Sequence, residues 1–184
     1  AYAEVILVDV LFLHGPAAAG KHTVGTLLST LVDMPLFHNH LVVDAVSALF
    51  DFGTEPFIQL REAMWLAAFE VAADASRSFI FTFNPEATVE PDLIERLETI
   101  VTTRGGRMLY VELACSDDTV VARINSPSRA QFGKLLDPDA YLKLKSQGHF
   151  DFPPLPTPLI TVDTEAQAPI ESARMIADAY LSLK

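Results

Sequence analysis

Residues 11–28 read LFLHGPAAAGKHTVGTLL. An apolar segment over residues 9–13 runs into a turn bounded by Gly15 and Gly20, and an amphipathic segment opens at Lys21. The pattern predicts a strand, a loop and a helix. The loop is G-x-x-x-x-G-K, with Thr23 at the second position after the lysine. The two glycines admit backbone dihedrals that other residues resist, so the loop N–H groups are free to turn inward. The helix that follows directs the positive end of its dipole to the same point, and Lys21 adds a full positive charge. Together these features make a cradle for a polyphosphate. The candidate nucleotide-binding residues are Gly15, Pro16, Ala17, Ala18, Ala19, Gly20, Lys21, His22 and Thr23.

In this context the spacing is the P-loop, or Walker A, motif. The alternative is an ordinary strand-to-helix turn with an exposed lysine. One position departs from the motif. The residue directly after the lysine ordinarily carries a hydroxyl that ligates Mg²⁺; here it is His22, and Thr23 follows. One step along a helix is about 100° of rotation, so Thr23 does not simply inherit that place. A neutral imidazole is a poor ligand for an ion that prefers oxygen. Thr23 is the candidate metal ligand, and Mg²⁺ stays open.

Composition limits the remaining possibilities. The chain has 184 residues, 50% of them hydrophobic and 20% charged, enough for one domain with a good core. The formal net charge of −11 argues against nucleic acid as a main partner, which would want a basic face. An acidic chain that binds polyphosphate must gather its few cations locally, and Lys21, Arg123, Arg129 and Lys134 are the candidates. The single cysteine, Cys115, leaves no internal disulfide and fits a reducing compartment. It reads as a small buried residue near a strand end rather than a catalytic thiol. No apolar run reaches the roughly 18 residues of a membrane span. The opening AYAEVILVDV lacks the basic start of a secretory leader. The expectation is a cytoplasmic protein with no membrane partner.

Outward from the loop, Val24, Leu27, Leu28, Leu31 and Val32 recur at helical spacing until Met34-Pro35. Residues 36–40 read as a second strand, and residues 41–52 as a helix stopped by Gly53. Thr54 caps a long helix that reaches about residue 76. SFIFTF, residues 78–83, is a continuous β-prone run before Asn84-Pro85, as in a strand covered on both faces. A helix follows to about residue 103, then a strand over 107–114 and a helix from Ser116 to Ile124. Residues 125–138 read as a mobile loop, 139–147 as a short helix, 148–158 as a Pro-rich surface crossing, 159–163 as the last strand and 169–182 as the last helix. Alternating strands and short turns predict an α/β fold with a mostly parallel sheet, and the glycine loop then lies at the carboxyl end of a strand, where such sheets bind ligands.

This order of parts resembles the small P-loop kinases of the nucleoside monophosphate kinase and shikimate kinase group, and is similar to antibiotic phosphotransferases such as chloramphenicol phosphotransferase. Three stretches carry the resemblance: GPAAAGKHT, then RINSPSRAQFGK at 123–134, which looks like an arginine-bearing lid, then LITVDTEAQAP, which looks like the final strand and the loop beside the base. The resemblance implies a single three-layer P-loop NTPase domain with a five-stranded, mostly parallel sheet and a small lid at about 125–138. It also implies ATP as cofactor and a small-molecule acceptor.

An arginine in a lid stabilises charge on the moving phosphoryl group through paired N–H donors. Arg129, mid-loop, is the first candidate for this catalytic role and Arg123 the second; the alternative for both is an ordinary surface residue. In shikimate kinase-like enzymes an Asp-x-Asp pattern follows the second strand, and here the matching positions are His38 and His40. In an extended segment both point the same way. They bind acceptor, hold a transition metal or cap the sheet edge. Asp44, one turn on, is the candidate base for the acceptor hydroxyl. Arg61 falls in the acceptor-binding region, or is a surface charge snorkelling from an apolar helix. Asn84 and Glu86 follow the third strand at the same edge, where a metal-binding acid is not evident. Thr164 and its neighbours line the base. A nucleotide-binding module with little or no catalysis is the alternative function. A GTPase-like switch fits worse, because no N-K-x-D-like segment reads guanine.

Overall fold

The computed structural model describes residues 8–124 and 137–184. The apolar run ahead of the glycine loop forms strand β1 (Asp9–His14), buried along its whole length, and helix α1 (Lys21–Val32) begins at the lysine. The chain continues as β2 (Leu36–His38), α2 (His40–Ser47), α3 (Glu55–Asp74), β3 (Phe79–Phe83), α4 (Leu93–Thr102), β4 (Arg107–Ala114), α5 (Asp117–Ile124), α6 (Pro138–Ser146), β5 (Ile160–Asp163) and α7 (Pro169–Leu181). The strands make one all-parallel sheet in the order β2-β3-β1-β4-β5.

That order puts the glycine loop where a ligand can reach it. β1 is central, paired with β3 on one side and β4 on the other. The chain leaves β1 through α1 toward β2, and later crosses from β3 through α4 to β4. Connections that depart in opposite directions open a crevice at the carboxyl end of the central strand.

Strand periodicity sorts the core into two layers. Val10 and Phe12 of β1, Phe79, Phe81 and Phe83 of β3, and Met108 and Tyr110 of β4 face α3 and α4, where they meet Phe57, Trp65, Phe69, Leu93 and Leu97. The intervening Leu11, Leu13, Ile80, Val111 and Leu113 face α1 and α7, against Val24, Leu28, Ala173, Ile176 and Tyr180. Both faces of the central strands are covered, which is why SFIFTF shows no polar alternation. The first layer is aromatic: Phe12 lies 5.4 Å from Phe81 and 5.3 Å from Tyr110 between ring centroids, and Phe69 stands edge-on to Phe81 at 5.1 Å.

Most boundaries fall within a residue or two of the sequence reading. The region after β2 differs. The strand stops at His38, and His40 opens α2 instead of extending the strand. The pairing of β2 with β3 ends at His38 opposite Thr82, and the next N–H, of Asn39, donates to the Thr82 hydroxyl at 3.1 Å. With the ladder ended, Asn39 adopts helical dihedrals (φ −58°) and the chain turns. His38 and His40 therefore are not alternate residues of one strand. Of the expected lid, residues 125–136 lie outside the described residues, and with them Arg129 and Lys134. No helix among the described residues is long and apolar enough to cross a membrane.

Candidate functional site

The glycine loop is shaped by close packing before any ligand is considered. Gly15 leaves β1 with φ 146°, and a Cβ there would stand 2.2 Å from the Leu113 carbonyl oxygen on β4. Only glycine lets β1 turn that near its neighbour. Ala18 (φ 58°) and Gly20 (φ 89°) then take left-handed dihedrals. Gly20 is the N-cap of α1, and no side chain caps that end. The start of α1 thus opens directly from the glycine loop at Lys21, and a helix start carries the positive end of its dipole, which favours an anion. The Lys21 ammonium donates to the carbonyls of Gly15 (2.7 Å) and Pro16 (2.6 Å) and to Asn84 Oδ1 (3.3 Å). It links the loop to the end of β3.

From this loop a continuous cleft of about 980 Å³ extends both ways. One end is built by the residues after β5. Arg123, in the last turn of α5, donates from Nη1 to Ala18 O (3.4 Å) and Thr164 Oγ1 (3.1 Å), and from Nη2 to Thr164 O (2.5 Å). It thereby ties the tip of the glycine loop to the end of β5. Thr164 in turn donates to Ala114 O on β4. Glu165 receives hydrogen bonds from the Ser116 hydroxyl and N–H. Those bonds, with one from Thr119, hold its carboxyl down at about 2. Residues 165–169 and the fully buried Ser172 complete this wall.

The other end takes side chains from β2, α2, the residues after β3 and the stretch beyond α6. His38, His40, Asp44, Ser47, Phe52, Asn84, Glu86 and Phe150 line it. The His22 ring packs edge-on against His38 at 4.6 Å between centroids, and His38 lies 6.4 Å from His40. The three imidazoles form a row along the junction between the two ends. Among the described residues no group of three His, Cys, Asp or Glu is placed to hold a metal ion.

Arg61 corrects both sequence readings of it. It is neither a surface charge nor a cleft residue: its side chain is 0% exposed. Its Nη1 donates to Glu86 Oε1 (2.6 Å) and Thr88 Oγ1 (3.1 Å), and its Nη2 to Thr88 O (2.8 Å). The guanidinium lies 5.3 Å from the Phe57 ring and 5.1 Å from Trp65. Burial holds the Glu86 carboxyl above its ordinary value, and the Arg61 charge, with hydrogen bonds from Thr88 and Arg61, offsets only part of that rise. The residue that reaches the cleft is Glu86, with Arg61 behind it. Sequence spacing gave no sign of this, because the partners are 25 positions apart.

Of the other expected residues, Ala17 to Thr23, His38, His40, Asp44, Arg123 and Thr164 all line this one cleft. Gly15 and Pro16 do not line it; their carbonyls accept hydrogen bonds from Lys21, which does. Phe150 and Ser172 were not anticipated; one follows a short helix and the other sits inside the last, with no motif around either. Burial raises the Cys115 thiol, so the half-buried cysteine is not an activated nucleophile. His14, the last residue of β1, is 7% exposed. Burial lowers its pKa from 6.5 to about 4, against the pull of Glu112 and with the push of Lys21.

No protein-family model matches the sequence, and no curated protein matches it. Solved structures do share its fold. A provisionally assigned kinase from Chloroflexus aurantiacus matches with a TM-score of 0.68 at 20% identity, over 94% of this chain and 98% of that one. The APS kinase CysC of Mycobacterium tuberculosis, solved with AMPPNP and APS, matches with a TM-score of 0.64 at 12% identity, over 95% and 98%. Shikimate kinase from Acinetobacter baumannii, solved with shikimate, gives 0.60 at 17% identity, over 96% and 95%. The chain thus has the three-layer α/β fold of the P-loop small-molecule kinases. At these identities the likeness is one of architecture.

Proposed function

We propose that the protein is an ATP-dependent phosphotransferase that moves the γ-phosphoryl group to a hydroxyl of a small molecule. The observation that carries this reading is the Gly15–Lys21 loop, with its left-handed turn and its lysine folded onto it at the start of α1, opening into a cleft with two differently built ends. The neighbouring APS kinase, solved with both AMPPNP and APS, supports a two-substrate use of such a cleft.

In this reading the loop N–H groups and Lys21 hold the β- and γ-phosphates. Arg123, with Thr164 and residues 165–169, forms the wall beside the base. The acceptor lies at the end lined by Asp44 and Glu86, with its hydroxyl aimed at the γ-phosphorus. The new bond joins that oxygen to phosphorus, the β–γ bridging bond breaks, and ADP departs with the bridging oxygen. The hydroxyl proton goes to Asp44. The oxygen donors near the loop suit Mg²⁺ carried in on the triphosphate, with Thr23, exposed in the cleft, the side chain that would hold it. When bound, that ion supplies charge neutralisation at the phosphates. Lys21→Ala tests the reading: ATP turnover should be lost with the fold intact, and unchanged turnover would end it.

The alternative, a nucleotide-binding module without transfer, is favoured by His22 at the hydroxyl position and by Asn84 where a metal-binding acid would stand. Calorimetry with ATP and ADP, with and without Mg²⁺, separates the two. Tight ATP binding indifferent to Mg²⁺, with no transfer to any acceptor, selects the module.

A further inference from the structure

Resting on the kinase reading above, we infer that the acceptor is a polyhydroxylated molecule that is uncharged or bears an ammonium group, selected by Glu86 and Asp44, with Arg61 as the residue that positions Glu86.

Charge at the two ends of the cleft carries the inference. Among the described residues, the lysine and arginine that line the cleft are Lys21 and Arg123. Lys21 sits on the carbonyls of the glycine loop, and Arg123 on Ala18 and Thr164 at the base wall. Both serve the phosphate and base end. The acceptor end instead presents the carboxyl groups of Asp44 and Glu86, beside the imidazoles of His38 and His40, which can donate to a hydroxyl. Among the described residues, the Arg61 guanidinium beside Glu86 does not line the cleft. Its Nη groups bond Glu86, Thr88 Oγ1 and Thr88 O, and aromatic rings flank it. What the cleft receives from this pair is the Glu86 side chain, 16% exposed, with Oε1 fixed by Arg61 and by the Thr88 hydroxyl at 3.0 Å.

An ionised carboxylate only accepts hydrogen bonds. Its complement is an O–H or an N–H⁺, and such charge-assisted bonds are short and directional. A carboxylate or phosphate on the acceptor would meet like charge, in a chain whose net charge is already −11. Phe52, packed on Phe57 beside the Arg61 guanidinium, adds apolar surface to the cleft. A few polar groups fixed among aromatic side chains suit a molecule with C–H faces and hydroxyl edges. The buried arginine has a definite part in this. Without it, a carboxylate so far from water would tend to take up a proton and turn away.

The test uses the whole protein with MgATP and two matched sets of probes: glucose, sorbitol and glucosamine against gluconate, glucuronate and glucose 6-phosphate. ADP release is measured for each, and calorimetry in the presence of ADP measures binding of each. The first set should exceed the second by at least tenfold in kcat/KM, or in affinity if no transfer is seen. Glu86→Gln should raise acceptor KM at least fivefold and shrink the preference between the sets toward one, with the Kd for ATP unchanged. Arg61→Lys should raise acceptor KM likewise and spare ATP binding, a split that general loosening of the fold would not produce. If Glu86→Gln does not fold, Asp44→Asn must shrink the preference in its place. A preference for the anionic set, no preference, or no binding of either set overturns the inference while ATP binding leaves the kinase reading standing. Failure of the wild-type protein to bind ATP sinks both.

Discussion

The two ends of the cleft are made of different material. The end proposed for the nucleotide is mostly main chain: a glycine loop, the start of α1 and the residues after β5, held by Lys21 and Arg123 through bonds to carbonyl groups. The acceptor end is side chains from α2, the residues after β3 and the stretch near Phe150, stiffened from behind by a buried ion pair. Main-chain geometry is set by local sequence. Side-chain geometry depends on partners that only the fold brings near. Loss of a charged side chain should therefore act at the first end mainly through chemistry, and at the second through stability as well.

The largest expected effect lies at the acceptor end. Glu86→Leu leaves Arg61 fully buried, still charged, and with Glu62 at 3.7 Å as its remaining ion-pair partner. Breaking a buried pair from one side costs about 3–5 kcal/mol. In a protein of this size that lowers the melting temperature by roughly 10 °C, readable by calorimetry or circular dichroism. The double variant Arg61→Met/Glu86→Leu should recover most of the loss. If the single variant melts like the wild type, the acceptor end does not depend on the pair and the contrast fails.

Lys21→Ala is the counterpart at the nucleotide end. Removing a charge placed over the phosphates should lower kcat by about 10²- to 10³-fold, followed as ADP release, with melting shifted by no more than a few degrees. A large stability loss with modest kinetic change would mean that the ammonium serves mainly to hold the carbonyls of Gly15 and Pro16 together.

The same division explains how much the sequence disclosed. The strands, the glycine loop and the parallel sheet were readable because each depends on neighbours in the chain: SFIFTF as a doubly covered strand, Gly15 and Gly20 around a turn, Thr54-Glu55-Pro56 at a helix start. His40 was misassigned to a strand because β2 ends where β3 offers Thr82, a fact of tertiary pairing. Arg61 escaped for the same reason, since its burial depends on Glu86 and Thr88, which follow another strand. Phe150 reaches the cleft from a Pro-rich crossing that carries no periodic signal.

The glycines sharpen the comparison within the nucleotide end itself. Gly15→Ala places a methyl group 2.2 Å from the Leu113 carbonyl, in a backbone region that resists side chains. The expected loss is about 3 kcal/mol. Gly20→Ala, with nothing within 4 Å of the added atom, should cost only the left-handed dihedral, about 1 kcal/mol. Denaturant midpoints of the two variants at fixed pH give the ratio. Equal losses would mean that packing against β4 does not shape the loop.

A pH dependence is expected at the shoulder of the loop. His14 ends β1 and is buried beside Glu112, its register partner on β4. Its pKa falls from 6.5 to about 4 in the folded protein, chiefly through burial. Between those values the unfolded chain binds the proton and the folded chain does not, so stability is full above pH 6.5 and is lost as pH falls toward 4. From pH 7 to pH 5 the loss assigned to this one group is about 2 kcal/mol. His14→Gln removes the titration, so the stability difference between pH 7 and pH 5, from urea unfolding, should shrink by that amount in the variant. The carboxylates titrate in both proteins and cancel in the comparison. Because His14 is the residue from which Gly15 departs, a matching acid-induced loss of ATP affinity that Gln abolishes would tie the main-chain end of the cleft to the buried shoulder beneath it. An unchanged pH slope would show that the imidazole reaches water before the fold gives way.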